Sequence, residues 1–298
     1  MGIILSLAAV ILLFSAGTLI TILIEPMLST TDEEGPASNS PKNNIYPVHP
    51  DSWLYNAAPA VALASMAAAS VVIPIDKSLA GADIGIGLFY FIVIIDYMVL
   101  AVALGGWGSN VPESIESCYR IIAQLVAYVV PLGLAVIGPI MMAKSMSTQN
   151  IISSQSSLWY IVSQPLGFAL YIITGLMQVY RAPFLEPFSN ILNNGIISTY
   201  GGWRGKLWRI SLSGILFIVA AMGAVLFLGG WSGPLLPGFV WMAIKTFAVL
   251  ILMKWIGQRM KLLSTARMLE LSWKILIPAG LLNVLIVGGL ILMGVGGK

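Results

Sequence analysis

Charge is scarce in this sequence. Asp, Glu, Lys and Arg together make up 9% of its 298 residues, whereas about 25% is typical of a soluble domain. Hydrophobic residues make up 58%, so most of the folded surface must face hydrocarbon or other helices. The composition excludes an ordinary soluble domain and predicts a polytopic membrane protein.

Cysteine and histidine are almost absent, since Cys118 and His49 are the only ones in the chain. A single cysteine excludes an intrachain disulfide. Iron–sulfur, zinc and haem sites need several such ligands, so the sequence predicts no metal and no covalently bound cofactor in this chain. No Ser, His and Asp set can be assembled either, and we expect no catalytic residue and no chemistry of the chain's own.

Long apolar runs are what the sequence does contain. A bilayer core of about 30 Å requires roughly 20 apolar residues per helical span, and eight such runs can be placed. They cover residues 2–24, 56–75, 84–106, 121–143, 157–177, 206–229, 237–256 and 272–296. The predicted fold is all-α, with residues 1–298 forming a single integral membrane domain of about eight transmembrane helices.

Basic residues are distributed unevenly between the two sets of loops. Cytoplasmic loops carry an excess of Lys and Arg near helix ends. One set holds Lys42, Arg120, Arg181, Arg204, Lys206, Arg209, Lys254, Arg259, Lys261, Arg267 and Lys274, and the other holds Lys77, Lys144 and Lys298. We expect the first set to be cytoplasmic, so that both termini lie outside the cell membrane. The net charge of +3 is modest and spread over helix ends, which predicts no nucleic-acid partner.

Two segments on the predicted cytoplasmic side are longer than simple connections. Residues 25–55 contain an acidic run followed by a Ser, Pro and Asn-rich stretch, which we interpret as a cytoplasmic polar loop on the membrane face; a disordered linker is the alternative. Residues 184–205 place apolar side chains on one helical face among asparagines. This second pattern predicts an interfacial amphipathic helix that contacts membrane lipids.

Two charges lie within predicted spans. Asp96 is near the middle of the third span, and Lys245 is about a third of the way along the seventh. A charge that faces lipid at such depth costs at least about 2.5 kcal/mol, so both side chains should face the bundle interior. A proton or ion path is the functional interpretation; a structural ion pair, or a protonated Asp96, is the structural one.

The fifth span ends abruptly in Gln178–Pro187, where an arginine and two prolines follow the apolar run. Proline fixes φ and the residue before it avoids the helical region, so the helix must break here. We expect Arg181 to be presented from a broken helix end, where its charge faces a cavity or a head group.

Several motifs, in the same order along the chain, resemble those of the NuoH-type heel subunit of respiratory complex I and its relatives in membrane-bound oxidoreductases. Residues 105–110 (GGWGSN) are similar to the family's AGWASN, although glycines here also serve close packing. Residues 164–168 read QPLGF and 181–184 read RAPF, as in the family. Arg120, Gln124 and Tyr128 fit RAAAQMISYE, residues 227–234 resemble FLGGW-x-GP, and 273–278 resemble WK-x-x-x-P. The resemblance covers roughly residues 84–282.

The resemblance implies a subunit that walls a quinone-access chamber and joins the peripheral redox arm to the membrane arm. It implies a lipid quinone as bound substrate, and as partners the other membrane-arm subunits and the peripheral iron–sulfur and 49-kDa-type subunits. The chamber would be lined by Arg181, Pro183, Phe184, Glu186, Arg120 and Glu25. The proton path would use Asp96, Lys245, Tyr128 and Gln178.

The chain departs from the family at seven carboxylates. These positions carry Val129, Gln178, Leu185, Phe188, Asn190, Leu192 and Thr199. Either the proton path is rerouted through Asp96, Lys245 and Glu186, or the complex does not pump at this subunit. We favour rerouting, because Asp96 replaces a residue that is usually small and polar in the family.

Other functions remain open at this point. The electron donor is set by other subunits, so NADH, ferredoxin and a reduced deazaflavin all fit, as does a subunit of a related membrane-bound hydrogenase or sulfur reductase. An ion-coupled secondary transporter would also explain deep charges and broken helices, although the sequence has no internal repeat. A scaffold that only anchors a peripheral enzyme is the third possibility.

Overall fold

The structure, a computed structural model, describes residues 2–28, 47–77, 79, 81–184 and 196–294. Within 2–28 it describes only the side chains of residues 8–23. In the other ranges it describes every side chain except that of residue 198. All regular structure in these residues is helical. The α-helices are α1 (Gly2–Leu28), α2 (Ser52–Ser70), α3 (Gly87–Ser109), α4 (Pro112–Ala143), α5 (Thr148–Ser153), α6 (Tyr160–Ser163), α7 (Pro165–Gln178), α8 (Gly202–Leu228), α9 (Gly238–Arg259), α10 (Thr265–Leu271) and α11 (Ile277–Leu292). The predicted all-α fold is confirmed.

Several of these helices suit a membrane. Among the described residues, five are long and apolar enough to cross it: α3, α4, α8, α9 and the continuous helix Thr265–Leu292, which joins α10 to α11 through a π-helical turn. Shorter apolar helices cover Ala8–Leu23 and Pro165–Gln178. Every predicted run coincides with helical structure. However, α2 is neither among the five long apolar helices nor among the shorter ones, so the number of eight spans stays a prediction.

The fifth predicted span is two helices instead of one. Gln164 has φ −141° and ψ 62° and separates α6 from α7. The cause is Pro165, because a residue that precedes proline is driven out of the helical region while proline itself suits the first turn of a new helix. Other predicted boundaries were too short: α4 begins at Pro112, and α1 and α2 extend into the predicted loop 25–55, of which residues 29–46 lie outside the described part.

The core of the bundle is α8. All its side chains from Ser211 to Phe227 are buried, and it packs against α1, α2 and α9. A helix that is apolar on all sides is expected in the centre of such a bundle. On one side of it lie α3, α4 and α7, which carry the polar residues of the candidate site.

Prolines within helices free carbonyl groups that other helices use. Pro59 has no N–H for the Tyr55 carbonyl, which instead accepts a hydrogen bond from the Tyr200 hydroxyl at 3.1 Å. Pro131 likewise frees the carbonyl of Ala127, which accepts from the Ser272 hydroxyl. An unpaired carbonyl in a membrane interior is costly, so these two bonds compensate for the prolines and join distant helices.

Glycines bring helices into close contact at the C-terminal end of α3. A Cβ added at Gly108 would lie 2.5 Å from the Tyr55 nitrogen. The first turn of α2 lies against this glycine, and the Asp51 N–H donates to the Gly108 carbonyl at 2.9 Å. The predicted packing role of the glycines in residues 105–108 is confirmed.

Candidate functional site at the broken end of α7

The helix break predicted at residue 181 is present. Tyr180 has φ 53°, the left-handed conformation in which glycine is usual after a helix. The Arg181 N–H donates back to the Leu176 carbonyl at 3.2 Å and the Tyr180 N–H to Met177 at 3.2 Å, which is the Schellman pattern. This conformation costs a non-glycine residue about 1–2 kcal/mol.

The turn that follows, residues 181–184, is buried. Arg181 is 9% exposed and Phe184 is 1% exposed. The Phe184 N–H donates to the Arg181 carbonyl at 2.8 Å, which closes the turn. A guanidinium held in so little solvent can bind a polar group in an otherwise apolar site.

Three elements hold the 181–184 turn in place. Gln124 Nε2, from α4, donates to the Met177 carbonyl at 2.6 Å and to the Phe184 carbonyl at 3.3 Å. The Leu263 N–H, after α9, donates to the Pro183 carbonyl at 2.9 Å. Gly257 of α9 lies against the turn so closely that an added Cβ would come within 2.6 Å of the Ala182 oxygen.

A polar cluster adjoins this turn, about halfway along α3. Asp96 Oδ1 accepts a hydrogen bond from the Tyr128 hydroxyl at 2.9 Å and from Gln178 Nε2 at 3.3 Å. The Tyr180 hydroxyl lies close enough to interact electrostatically with both Tyr128 and Asp96. A carboxyl group with phenol neighbours can accept and release a proton. Tyr180 connects this cluster to the turn, because Arg181 is the next residue in the chain.

Several predicted site residues therefore come together, and others do not. Asp96, Tyr128 and Gln178 form the cluster, with Arg181, Pro183 and Phe184 beside it. Arg120 is paired with Glu116 one turn away at 2.5 Å and is partly exposed. Glu186 and the side chain of Glu25 lie outside the described residues.

Lys245 is in a different environment from the Asp96 cluster. Its ammonium donates to the carbonyls of Gly230 and Ser232 at 3.0 and 2.6 Å. It also lies 4.3 Å from the centre of the Trp159 ring and 5.5 Å from that of Trp241. These contacts stabilise the turn between α8 and α9, and its part in a proton path stays a prediction.

Two site residues were missed by reasoning from the sequence. Gln124 was noted only as part of a motif, and its buried position on α4 was the available signal. Tyr180 gave no signal, because its neighbourhood to Asp96 arises only when α3, α4 and α7 pack together.

An aromatic cluster lies where the chain re-enters the described structure after residue 195. The Tyr55 and Tyr200 rings stack at 4.2 Å and 8°, and the Tyr55 hydroxyl donates to the Thr199 carbonyl at 2.6 Å. Arg204 lies 5.6 Å from the centre of the Tyr55 ring and donates to Asn56 at 2.8 Å. This arrangement anchors the end of the predicted amphipathic segment 184–205, of which residues 185–195 lie outside the described residues.

A separate apolar groove of about 560 Å³ lies between α1, α8 and α9. Phe14, Phe217 and Phe247 are among its walls, with Asp76 at one end. None of the predicted chamber residues whose side chains the structure describes, namely Arg120, Arg181, Pro183 and Phe184, lines it. Within the described ranges, no three His, Cys, Asp or Glu side chains are grouped so as to hold a metal ion.

Comparison with known sequences shows the family of this chain. The sequence profile of a family described as NADH dehydrogenase matches residues 40–288. The chain is 34% identical to the second NuoH-type subunit of the NADH-quinone oxidoreductase of Syntrophobacter fumaroxidans over 261 residues, which cover 84% of this chain and 79% of that relative. The chain belongs to the NuoH family of NADH-quinone oxidoreductase subunits.

Further relatives agree with the family assignment. The NuoH-type subunit of Bacillus cytotoxicus is 34% identical over 248 residues, covering 82% of this chain and 74% of the relative. The second such subunit of Geobacter sulfurreducens is 33% identical over 257 residues, covering 83% and 78%. The resemblance drawn from the motifs is confirmed, and membership of the NuoH family favours that interpretation over a secondary transporter.

Proposed function

We propose that this chain forms the quinone-access chamber of a complex I-like oxidoreductase and joins its peripheral redox arm to its proton-translocating membrane arm. The observation that carries the proposal is the buried Arg181 at the broken end of α7, next to a mid-membrane carboxyl group. The NuoH relatives, named as parts of an NADH-quinone oxidoreductase, support it.

A lipid quinone matches the chemistry of this site. Its tail needs apolar walls, and its two carbonyl oxygens need a few fixed hydrogen-bond donors. Pro183 and Phe184 are buried and make the surroundings of Arg181 apolar, and the Arg181 guanidinium carries five donors. Gln124 and Leu263 hold the turn, so the guanidinium is positioned by the fold and not by the ligand.

Proton transfer would start from the cluster next to the turn. The family resemblance puts a carboxylate at position 178, where this chain has a glutamine, and that glutamine donates to Asp96. The acid is thus supplied by α3 instead of α7, in hydrogen-bond contact with the position it replaces. Asp96, Tyr128 and Gln178 form the proposed path; Lys245 and Glu186 would extend it.

Membrane orientation is part of the proposal. The contacts Asp51 to Gly108 and Pro183 to Leu263 gather the end of α3, the start of α2 and the ends of α7 and α9 at one face of the bundle. The contacts Val72 to Thr148 and Leu88 to Met146 lie at the opposite face. The basic loops put the first face in the cytoplasm, and both termini outside the plasma membrane.

Extraction of the native complex in mild detergent tests the proposal. We expect flavin and iron–sulfur subunits to co-purify with the chain, and the complex to reduce a short-chain quinone. Arg181→Lys should keep assembly and raise the KM for quinone, because an ammonium lacks the planar fork of donors. Arg209→Lys, at an exposed position on α8, is the matched control.

Two results would contradict the proposal. A chain that emerges alone, or with partners that do no redox chemistry, would favour a transporter. A complex in which Arg181→Ala abolishes assembly but Arg181→Lys leaves quinone kinetics unchanged would favour a scaffold without a quinone site.

A further inference from the structure

The second oxygen of Asp96 is not satisfied by the residues that the structure describes. Both of its hydrogen bonds go to Oδ1. Oδ2 has no hydrogen-bond partner among the described residues, and it is absent from the buried unpaired atoms, so it reaches the surface. Asp96 is the tenth of 23 residues in α3, so this surface lies at mid-membrane depth.

The side of α3 that carries Asp96 is otherwise apolar and uncovered. Phe89 is 59% exposed, Val93 40%, Tyr97 48% and Leu100 47%. Residues three, four and seven apart share one side of a helix, so these four and Asp96 form one continuous strip, which we call the α3 strip. No described element of the chain covers the strip.

Lipid is a poor neighbour for the α3 strip. A carboxyl oxygen has no hydrogen-bond donor in hydrocarbon, and a charged side chain there costs at least about 2.5 kcal/mol. The other four residues of the strip would tolerate lipid, but Oδ2 of the ionised Asp96 carboxylate requires a donor at its own depth. In a membrane, only a neighbouring protein helix holds such a donor in a fixed place.

The geometry points to a transmembrane helix of another subunit that packs on the α3 strip and donates a hydrogen bond to Asp96 Oδ2. Its matching face is apolar, with one Ser, Thr, Asn, Gln, His, Tyr, Lys or Arg at the level of Asp96. This inference rests on the proposed function, since it requires a multi-subunit membrane complex. It also makes Asp96 the point where the polar cluster of this chain continues into its neighbour.

Photo-cross-linking in the purified complex tests the inference. p-Benzoylphenylalanine is placed at Val93 or Tyr97 on the α3 strip, and at Leu285, a 73% exposed position on α11, for comparison. Irradiation at both strip positions should link this chain to one and the same membrane subunit. The linked peptide should contain a hydrogen-bond donor side chain within one helical turn of the attachment point.

A second variant tests the role of the carboxyl group itself. Asp96→Leu has a similar volume but accepts no hydrogen bond, and it should lower the adduct yield at Val93 several-fold. Any adduct formed at Leu285 should keep its yield, and co-purification of the redox subunits shows that the complex is still assembled. An unchanged yield at Val93 would overturn the donor contact to Asp96.

The remaining outcomes separate this inference from the proposed function. Lipid adducts alone at Val93 and Tyr97, in a complex that keeps its redox subunits, would overturn the inference and leave the proposed function intact. A linked peptide with no donor side chain would do the same. A chain that purifies without any other subunit would contradict both.

Discussion

The Tyr128 hydroxyl donates a hydrogen bond to Asp96 Oδ1 at 2.9 Å and thereby joins α4 to α3 about halfway along α3. Tyr128 is wholly buried, and Gln178 of α7 donates to the same oxygen. The acid is therefore held by two helices, one of which, α7, ends at Gln178, three residues before Arg181. This link is what connects the proposed chamber to a group that can carry a proton.

Asp96→Asn should uncouple the complex. The amide keeps the size of the side chain and its ability to accept from Tyr128, but it does not exchange a proton. We expect several-fold less proton translocation per electron in proteoliposomes, with quinone reduction largely retained. The control is Asp83→Asn. Asp83 is an exposed acid before α3 that accepts a hydrogen bond from the Ser147 hydroxyl. Equal proton translocation by Asp96→Asn and wild type would exclude a path through Asp96.

Gln124→Leu should loosen the 181–184 turn. The substitution leaves the Phe184 carbonyl without the bond that Gln124 supplies and removes one from Met177, at about 1–3 kcal/mol for each carbonyl left unpaired. We expect a higher KM for quinone in a complex that still assembles, and partial recovery in Gln124→Asn. The control is Gln149→Leu on the short helix α5, which should leave KM unchanged. A normal KM in Gln124→Leu would show that the 181–184 turn is positioned without Gln124.

Lys245→Met should reduce stability. It removes two carbonyl hydrogen bonds and the cation–π contacts with Trp159 and Trp241, which are worth about 0.5–2 kcal/mol. We expect a lower thermal midpoint for the complex, while Lys206→Met, exposed on α8, leaves it unchanged. Proton translocation by the surviving Lys245→Met complex decides the other role: lost pumping with intact electron transfer would place Lys245 on the path.

Ser272→Ala should lower the stability of the protein, because Pro131 leaves the Ala127 carbonyl dependent on the Ser272 hydroxyl. The Ala127 carbonyl then has neither a backbone donor nor the Ser272 hydroxyl, and we expect a loss of about 1–3 kcal/mol in the free energy of unfolding. In a Pro131→Ala background the residue 131 N–H can bond that carbonyl, so the same substitution should cost less. Chemical unfolding in detergent of the four variants gives the coupling.

The control for Ser272→Ala is Ser211→Ala. Ser211 is also buried and donates to a carbonyl, but to that of Leu207 in its own helix, which keeps its backbone donor. Its loss should therefore be smaller. Equal losses for Ser272→Ala in both backgrounds would show that the freed carbonyl is not what the serine stabilises.

Much of the architecture was predictable from local chemistry. Apolar runs of bilayer length predicted helices at all eight places, and the Arg181–Pro183 sequence predicted the break that ends α7. Pro165 carried the same signal at Gln164, but the length of the surrounding apolar run outweighed it. Boundaries were less predictable, since polar first turns such as that of α4 at Pro112 continue a helix beyond its apolar part.

The sequence by itself determined the helical class, the family, the broken end of α7 and the presence of a mid-span acid, because each depends on residue type and on spacing along one chain. Only the tertiary structure decided the partners of those groups. The packing of separate helices decides three sets of hydrogen bonds. Asp96 accepts from Tyr128 and Gln178, and Gln124 donates to the Phe184 carbonyl. Ser272 donates to the Ala127 carbonyl that Pro131 leaves without a backbone donor. The physical reason is that hydrogen bonds act over about 3 Å, a distance that side chains from three helices reach only when packed together.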